Sequence, residues 1–195
     1  MRWFWFDRYT EFVSGSHATA IKAIAHSEDQ IHDHFPGAGT MPNSLILEGL
    51  AQTSGMLVSE FYDFRERVIL AKVPKVRFHC RALPGDTLTY RAKIESIEPS
   101  GARVTTTSHV GDRLQAEAEI LFAHIDRHTP TRPLFTPNDF AKLLRTFDIF
   151  KVGRKPDGSL IVMPPELAAA EAEYRREAQA HWAAEAALNR EATAN

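Results

Sequence analysis

Apolar positions predict one long buried helix in the first third of the chain. Across residues 43–62 they cover almost the whole helical circumference, and a helix that is apolar nearly all round is typically a buried one. Pro42 stands just before this stretch and suits the first helical position, where a missing N–H costs nothing. The pattern therefore predicts a central helix.

Strand-like segments lie on both sides of this helix. Residues 17–25 alternate in part and follow a Ser-Gly-Ser turn. After the helix, turns rich in Gly, Pro and Asp separate four further segments. These are residues 68–78, 87–97, 103–110 and 114–125. One buried helix followed by a strand meander indicates an α+β fold, with an antiparallel β-sheet wrapped on a long helix.

The composition changes after residue 126, which divides the chain into a domain, 1–126, and a C-terminal extension, 127–195. Prolines at 130, 133 and 137 indicate a linker, and residues 147–163 a possible short hairpin around Lys155-Pro156-Asp157-Gly158. The Ala- and Glu-rich stretch 165–195 predicts a final helix. Its apolar stripe either packs on a partner or belongs to a solvated tail. The stripe is Leu167, Tyr174, His181 and Leu188.

Composition narrows the class of protein. With 195 residues and 44% hydrophobic residues, one domain of ordinary size with an extension is expected. A net charge of −2 argues against nucleic-acid binding, which normally needs a basic surface. The single Cys80 cannot form an internal disulfide and fits a reducing cytoplasm. No apolar run approaches the roughly 18 residues of a membrane span.

A polar stripe on the predicted buried helix marks a candidate site. Ser44, Glu48 and Gln52 are spaced four apart, so they lie on one helical face. A buried carboxyl group is costly unless it is paired or stays protonated, and a protonated carboxyl is what a general acid requires. The alternative is structural, with Glu48 pairing with a nearby cation or capping a neighbouring group.

A histidine precedes this helix by a short loop. His34 opens the loop 34–42, and a histidine is a suitable general base near neutral pH. His32 and His34 also form a His-x-His pair, but no third ligand follows at a recognisable spacing, so we predict no metal. The free N–H groups at the start of the helix would favour a developing oxyanion.

These residues together resemble a known family. The match is to bacterial (3R)-hydroxyacyl-[acyl-carrier-protein] dehydratases, over about residues 3–126, and the step of fourteen residues from His34 to Glu48 fits the family's spacing. The matching residues are His34-Phe35-Pro36-Gly37, Met41-Pro42, Leu45-Ile46, Glu48, Ala51-Gln52, Arg77-Phe78 and Pro84-Gly85-Asp86. The resemblance implies a hot-dog fold and a homodimer, often a trimer of dimers, with each site shared between subunits.

The resemblance also implies roles for the site residues. His34 would remove the α-proton and Glu48 would protonate the departing β-hydroxyl. The backbone N–H of Asn43 would bind the thioester oxygen, and the backbone carbonyl of Thr40 would orient the histidine or the substrate hydroxyl. Gly37 and Gln52 complete the expected substrate-binding set. No metal or diffusible cofactor is expected, because acyl carrier protein delivers the phosphopantetheine arm with the substrate.

Two departures from the family keep other functions open. Asn43 stands where the family usually has glycine, and the family's proline near Gly39 is missing. A hot-dog thioesterase would use Glu48 to activate water at the carbonyl, although it needs no base aimed at Cα. A non-catalytic hot-dog subunit would follow if Asn43 spoils the oxyanion site. Residues 127–195 have no counterpart in the resemblance.

Overall fold

The computed structural model describes residues 3–34, 36–125 and 136–193. Its strands are β1 (Arg8–Val13), β2 (His17–Ala23), β3 (Arg67–Phe78), β4 (Thr87–Glu98), β5 (Gly101–Val110), β6 (Arg113–Ile125) and β7 (Gly153–Arg154). Its helices are α1 (Asp29–Asp33), α2 (Asn43–Phe61), α3 (Pro137–Thr146), α4 (Ile149–Val152) and α5 (Pro165–Thr193).

The strands form a single sheet that wraps the central helix. Their order is β3-β6-β5-β4-β2-β1-β7, and neighbours are antiparallel except for β1 and β7, which run parallel. Helix α2 contacts β2, β3, β4, β5 and β6. Ile46, Leu50, Leu57 and Val58 of this helix are fully buried. The predicted α+β arrangement, with an antiparallel sheet around a long central helix, is confirmed.

The sequence suggested Pro42 as the first helical residue, but helix α2 begins one residue later. Pro42 is the N-cap, with extended backbone, and Asn43 is the first helical residue. The N–H groups of Leu45 and Ile46 both donate to the Pro42 carbonyl at 3.0 Å. Pro42 therefore contributes its carbonyl to the first turn, and its lack of an N–H stays harmless.

Three elements were missed because their patterns are short or broken. Strand β1 has a bulge between Tyr9 and Glu11, so Tyr9 and Phe12, three residues apart, are both buried and the alternation disappears. Helix α1 is a five-residue helix with one buried residue, Ile31. The linker interpretation of Pro137 is wrong. Pro137 begins α3, whose N-cap Thr136 accepts a hydrogen bond from the Asp139 N–H.

The hairpin predicted for residues 147–163 is correct at its turn and wrong in its first arm. Arg154 and Leu160 form an antiparallel bridge, and the Lys155 N–H donates to the Ser159 carbonyl at 2.8 Å. The preceding residues form helix α4 instead of a strand, and β7 pairs with β1.

Residues of the C-terminal extension belong to the same hydrophobic core as residues near the start of the chain. Phe147 and Ile149 lie in the same buried cluster as Phe6, Tyr9 and Phe12. The Phe147 carbonyl accepts a hydrogen bond from the Tyr9 N–H at 3.0 Å. The boundary near residue 126 stays a prediction, and the buried cluster continues across it.

The final helix is confirmed, and its first half packs on α3. Glu171 is buried between Arg145, which binds both of its carboxylate oxygens at 2.8–3.0 Å, and Arg175 at 3.1 Å. These contacts lower the pKa of Glu171, with the Arg145 hydrogen bonds as the main cause. Of the predicted stripe, Leu167 packs against the core, Tyr174 lies under the Lys142 ammonium and His181 is exposed. The Leu188 side chain lies outside the described part.

Candidate active site

His34 is placed by the short helix α1. The helix is fixed to the body by buried Ile31 and by Glu28, whose Oε1 accepts from the Ala25 N–H at 2.8 Å and from Lys22 Nζ at 2.9 Å. Partial burial raises the pKa of Glu28, but these hydrogen bonds and the Lys22 charge outweigh it and leave the pKa lowered. Glu28 thus stays ionised and holds α1, and His34 ends the helix at an exposed position.

The loop between His34 and α2 is built on two glycines with left-handed backbone. Gly37 has φ +84° and Gly39 has φ +57°, and an added Cβ would meet nothing within 4 Å at either position. The need for glycine here is therefore conformational. The loop ends at Met41, which is buried and whose N–H donates to the Ala82 carbonyl at 2.9 Å. Thr40 is half-buried beside it, and Phe35 lies outside the described residues.

The start of α2 offers backbone donors. Asn43 and Ser44 are the first two helical residues and both are exposed. The first N–H groups of a helix have no acceptor within the helix and carry its positive end. Asn43 therefore contributes one of the first N–H groups of the helix.

Glu48 and Gln52 are joined by a hydrogen bond on one face of α2. Gln52 Nε2 donates to Glu48 Oε1 at 2.9 Å, and both side chains are half-buried. The four-residue spacing placed them together as predicted. The structure thus pairs the carboxyl group with an amide.

The Gln52 carboxamide is held from its other side by the N-terminal segment. Its Oε1 accepts from the Trp5 N–H at 2.9 Å, and its Nε2 donates to the Trp3 carbonyl at 2.8 Å. A backbone N–H can only donate and a carbonyl can only accept, so these two bonds fix which end of the amide is nitrogen. The N–H groups of Gln52 are then shared between Trp3 and Glu48.

A glycine lets the N-terminal segment lie this close to the helix. A Cβ at Gly49 would stand 2.6 Å from the Trp5 carbonyl oxygen and 2.8 Å from the Tyr90 hydroxyl. Any larger residue would push the segment away from α2. The sequence carried this signal, because a glycine inside a helix is unfavourable unless another backbone approaches it. Neither Gly49 nor the backbone of Trp3 and Trp5 was among the site residues predicted from the sequence.

The predicted residues therefore fall into two groups. Gly37, Thr40 and Asn43 follow His34 along one continuous stretch that leads into α2, while Glu48 and Gln52 are bonded together within the helix. The alternative His-x-His pair is not supported, since the His32 ring faces His26 and its Nε2 lies 2.7 Å from the His26 carbonyl oxygen. In the described ranges, no three His, Cys, Asp or Glu side chains are grouped so as to hold a metal. None of the described helices is long and apolar enough to cross a membrane.

A family model described as the FabA-like domain matches residues 4–120, which includes α1, the glycine loop and all of α2. The chain belongs to the FabA-like family. The match ends before the C-terminal extension.

Two similar FabA-like proteins carry the name 3-hydroxyacyl-[acyl-carrier-protein] dehydratase FabZ. The protein from Macrococcus caseolyticus is 33% identical over 122 residues, which cover 62% of this chain and 84% of the relative. The protein from Clostridioides difficile is 30% identical over 122 residues, which cover 62% of this chain and 86% of the relative.

Solved structures share the fold at low identity. The protein PH1136 from Pyrococcus horikoshii has a TM-score of 0.54 and 16% identity, covering 67% of this chain and 92% of that one. A hypothetical thioesterase with coenzyme A from Streptococcus pneumoniae has a TM-score of 0.51 and 10% identity, covering 60% and 86%. Together with the family match, they identify the sheet and central helix as a hot-dog fold.

Proposed function

We propose that this protein removes water from (3R)-hydroxyacyl thioesters on acyl carrier protein and forms trans-2-enoyl thioesters, in fatty-acid or related lipid or polyketide synthesis. The proposal rests mainly on the hydrogen-bonded pair of Glu48 and Gln52 on the central helix. This helix directly follows the loop that begins at His34 and contains Gly37 and Gly39. Membership of the FabA-like family and the similarity to FabZ dehydratases support it.

In the proposed reaction His34 takes the proton from Cα, and the electron pair of that C–H bond forms the Cα=Cβ double bond. The Cβ–O bond breaks, and the hydroxyl leaves as water with a proton from Glu48. His34 gains one proton and Glu48 loses one, so the site resets by proton exchange with solvent. The elimination is redox-neutral, so the proposed step needs neither an oxidant nor a reductant.

The start of α2 is suited to stabilising the charge that develops during this step. Loss of the α-proton places negative charge on the thioester oxygen, and a backbone N–H without an intrahelical acceptor is a suitable donor for it. Asn43 supplies that donor in our proposal. Thr40 orients the histidine or the substrate hydroxyl through its backbone carbonyl, and Gly37 shapes the loop between them.

The contacts of Gln52 support a positioning role instead of the substrate-binding role first expected. Its oxygen accepts from Trp5, and its nitrogen donates to Trp3 and to Glu48. The donors of the amide are therefore already used by the protein. A substrate group would have to displace one of these bonds to reach Gln52.

A homodimer, with further assembly into a trimer of dimers, remains part of the proposal. Strand β3 ends the sheet formed by the described residues, and an outer strand edge of this kind can pair with another chain. Ile69, Leu70 and Val76 on this strand are apolar and exposed. Pro74 lies where the pairing of β3 with β6 is irregular, and proline within a sheet is confined to edge strands, strand starts and bulges. Pairing along β3 would extend the sheet and bury these side chains.

The cytoplasmic location expected from the single cysteine also stays a prediction.

A product assay on carrier-protein substrates tests the proposal. A (3R)-hydroxyacyl thioester on acyl carrier protein should give a conjugated enoyl product in the wild type, and His34→Ala should give none. Release of free thiol without enoyl product would instead indicate the thioesterase. Absence of both products in a folded, dimeric protein would favour the non-catalytic subunit.

A further inference from the structure

We propose that Phe147 of the C-terminal extension is a positioning residue for Glu48, acting through the aromatic N-terminal segment, residues 3–6, and Gln52. The inference rests on the proposed catalytic role of Glu48. It assigns the extension, which lies beyond the family match, a part in the geometry of the site.

The first link is aromatic. The Phe147 ring packs on the Phe6 ring at a centroid distance of 4.1 Å and edge-on against the Phe4 ring at 5.2 Å. Such ring pairs add directional attraction to the burial of apolar area. Phe147 and Phe6 are both almost fully buried. The side chains at positions 4 and 6 of the segment are therefore seated on the extension.

A backbone bond and a strand pair keep Phe147 in register with the start of the chain. The Phe147 carbonyl accepts from the Tyr9 N–H at 3.0 Å. Six residues further on, β7 pairs with β1 at Phe12 and Gly153. The extension thus holds both the segment and the strand that follows it.

The second link runs from the segment to the carboxyl group. Phe4 and Phe6 alternate with Trp3 and Trp5, whose backbone groups bind the Gln52 carboxamide at 2.8 and 2.9 Å. Gln52 in turn donates to Glu48 Oε1 at 2.9 Å. Loosening the segment would free the amide to rotate and release the carboxyl with it.

The hydrogen bond from Gln52 makes the two carboxyl oxygens of Glu48 unequal. A protonated carboxyl accepts hydrogen bonds best at its carbonyl oxygen, so a donor at Oε1 favours the proton on Oε2. Oε2 is then the oxygen that protonates the departing hydroxyl. Phe147 therefore acts on the orientation of the proton donor and should affect kcat more than KM.

A double-mutant cycle on the dimeric full-length protein tests the link. We expect Phe147→Ala and Gln52→Ala each to lower kcat about tenfold with little change in KM, because tenfold in rate is a modest loss of orientation. The double variant should be no slower than Gln52→Ala alone, since both changes break one chain of contacts. Phe147→Leu, which keeps most of the buried volume, is measured in parallel so that the test survives if the alanine variant does not fold.

Ile161→Ala is the matched control. Ile161 is buried in the same extension, but it packs on Gly153. It should lower the melting temperature as Phe147→Leu does while kcat stays within about twofold of wild type. Losses in kcat that multiply in the double variant would overturn the proposal, and so would an equal loss of kcat in Ile161→Ala.

A readout without catalysis separates this proposal from the proposed function. The chain has three tryptophans, so ¹⁵N-tryptophan labelling gives three backbone N–H signals, of which Trp5 reports the bond to Gln52. We expect hydrogen exchange at Trp5 to rise at least about tenfold in Phe147→Leu and to stay unchanged in Ile161→Ala. If the wild type does not dehydrate, the proposed function fails while this result still stands. Unchanged exchange at Trp5, or faster exchange with unchanged kcat, overturns the role of Phe147.

Discussion

The Glu48 carboxyl group accepts a hydrogen bond from the side-chain amide of Gln52. Gln52 donates to its Oε1, and the two bonds from Gln52 to the N-terminal backbone keep that amide in one orientation. These bonds orient the carboxyl group on the face of the helix.

Glu48→Gln should remove the transferable proton while keeping the shape of the side chain. The new amide oxygen can still accept from Gln52, so we expect a loss of stability below about 1 kcal/mol. The dehydration rate should fall by about two to four orders of magnitude, as is usual when a general acid is lost. Single-turnover kinetics and thermal unfolding measure the two effects. Near-native turnover would remove Glu48 from the mechanism, and Glu60→Gln on the same helix is the control for the amide change.

Asn43→Gly should leave activity nearly unchanged. Asn43 is exposed and contributes its backbone N–H in our proposal, and glycine keeps that donor. The added chain entropy of glycine should cost about 0.5–1 kcal/mol of stability. Steady-state turnover within about threefold of wild type, with a slightly lower melting temperature, is the expected result. A collapse of turnover in the folded variant would show that the side chain takes part.

Among the elements, the central helix carries two glutamates, whose environments differ. Glu48 lies in the second turn near the exposed loop, while Glu60 is buried in the last turn. Burial raises the pKa of Glu60, and the nearby Asp63 adds to the rise, although Ser14 and Lys155 act against it. Its Oε2 has no hydrogen-bond partner within the described part of the chain. This end of the helix therefore favours a neutral side chain.

Glu60→Gln should stabilise the protein at high pH. The folded-state pKa of Glu60 lies above its unfolded value, so its contribution is full below the unfolded pKa and is lost as pH rises through the folded pKa. Glutamine imitates the neutral acid at every pH. We expect a melting temperature higher by a few degrees near pH 8 and a difference that shrinks toward pH 4. A variant that is less stable than wild type at pH 8 would show that the ionised form makes favourable contacts in the fold.

The elements that the sequence predicted are those with long, regular patterns. Helix α2 and strands β3 to β6 each exceed nine residues, and their apolar positions reflect one continuous face or a full circumference. Strand β1 was missed because its bulge breaks the alternation. Helix α3 was missed because a proline at the start of a helix and a proline in a linker look alike in sequence. The partners of Gln52 could not be predicted, since Trp3 and Trp5 are 49 and 47 residues away along the chain.

At the scale of the whole molecule, the extension completes one side of the sheet. Its residues Leu144, Phe147 and Ile149 cover Phe6 and Tyr9 in a common buried cluster. Helix α3 and the first half of α5 are held together by Arg145 and Glu171. The second half of α5 carries Trp182 with most of its surface exposed.

Truncation after residue 126 tests how far the core depends on the extension. Removing it would expose the faces of Phe6, Tyr9 and Phe12, and lost burial of this size costs several kcal/mol. We expect an insoluble product or a melting temperature lower by at least about 10 °C. Truncation after Arg176 keeps the contacts of Glu171 and should leave the melting temperature nearly unchanged. A stable, dimeric 1–126 fragment would instead support the two-part division predicted from the sequence.

We propose a dehydratase site built from His34 of one subunit and Glu48 of the other. Homodimers of His34→Ala and of Glu48→Gln should each be inactive. In a mixed dimer, one site carries both lesions, and the other receives His34 and Glu48 intact from different chains. Random pairing gives half mixed dimers with one good site each, so mixing the two inactive proteins should restore up to about a quarter of wild-type activity, given two-fold symmetry. Complete inactivity after proven subunit exchange would contradict the shared site.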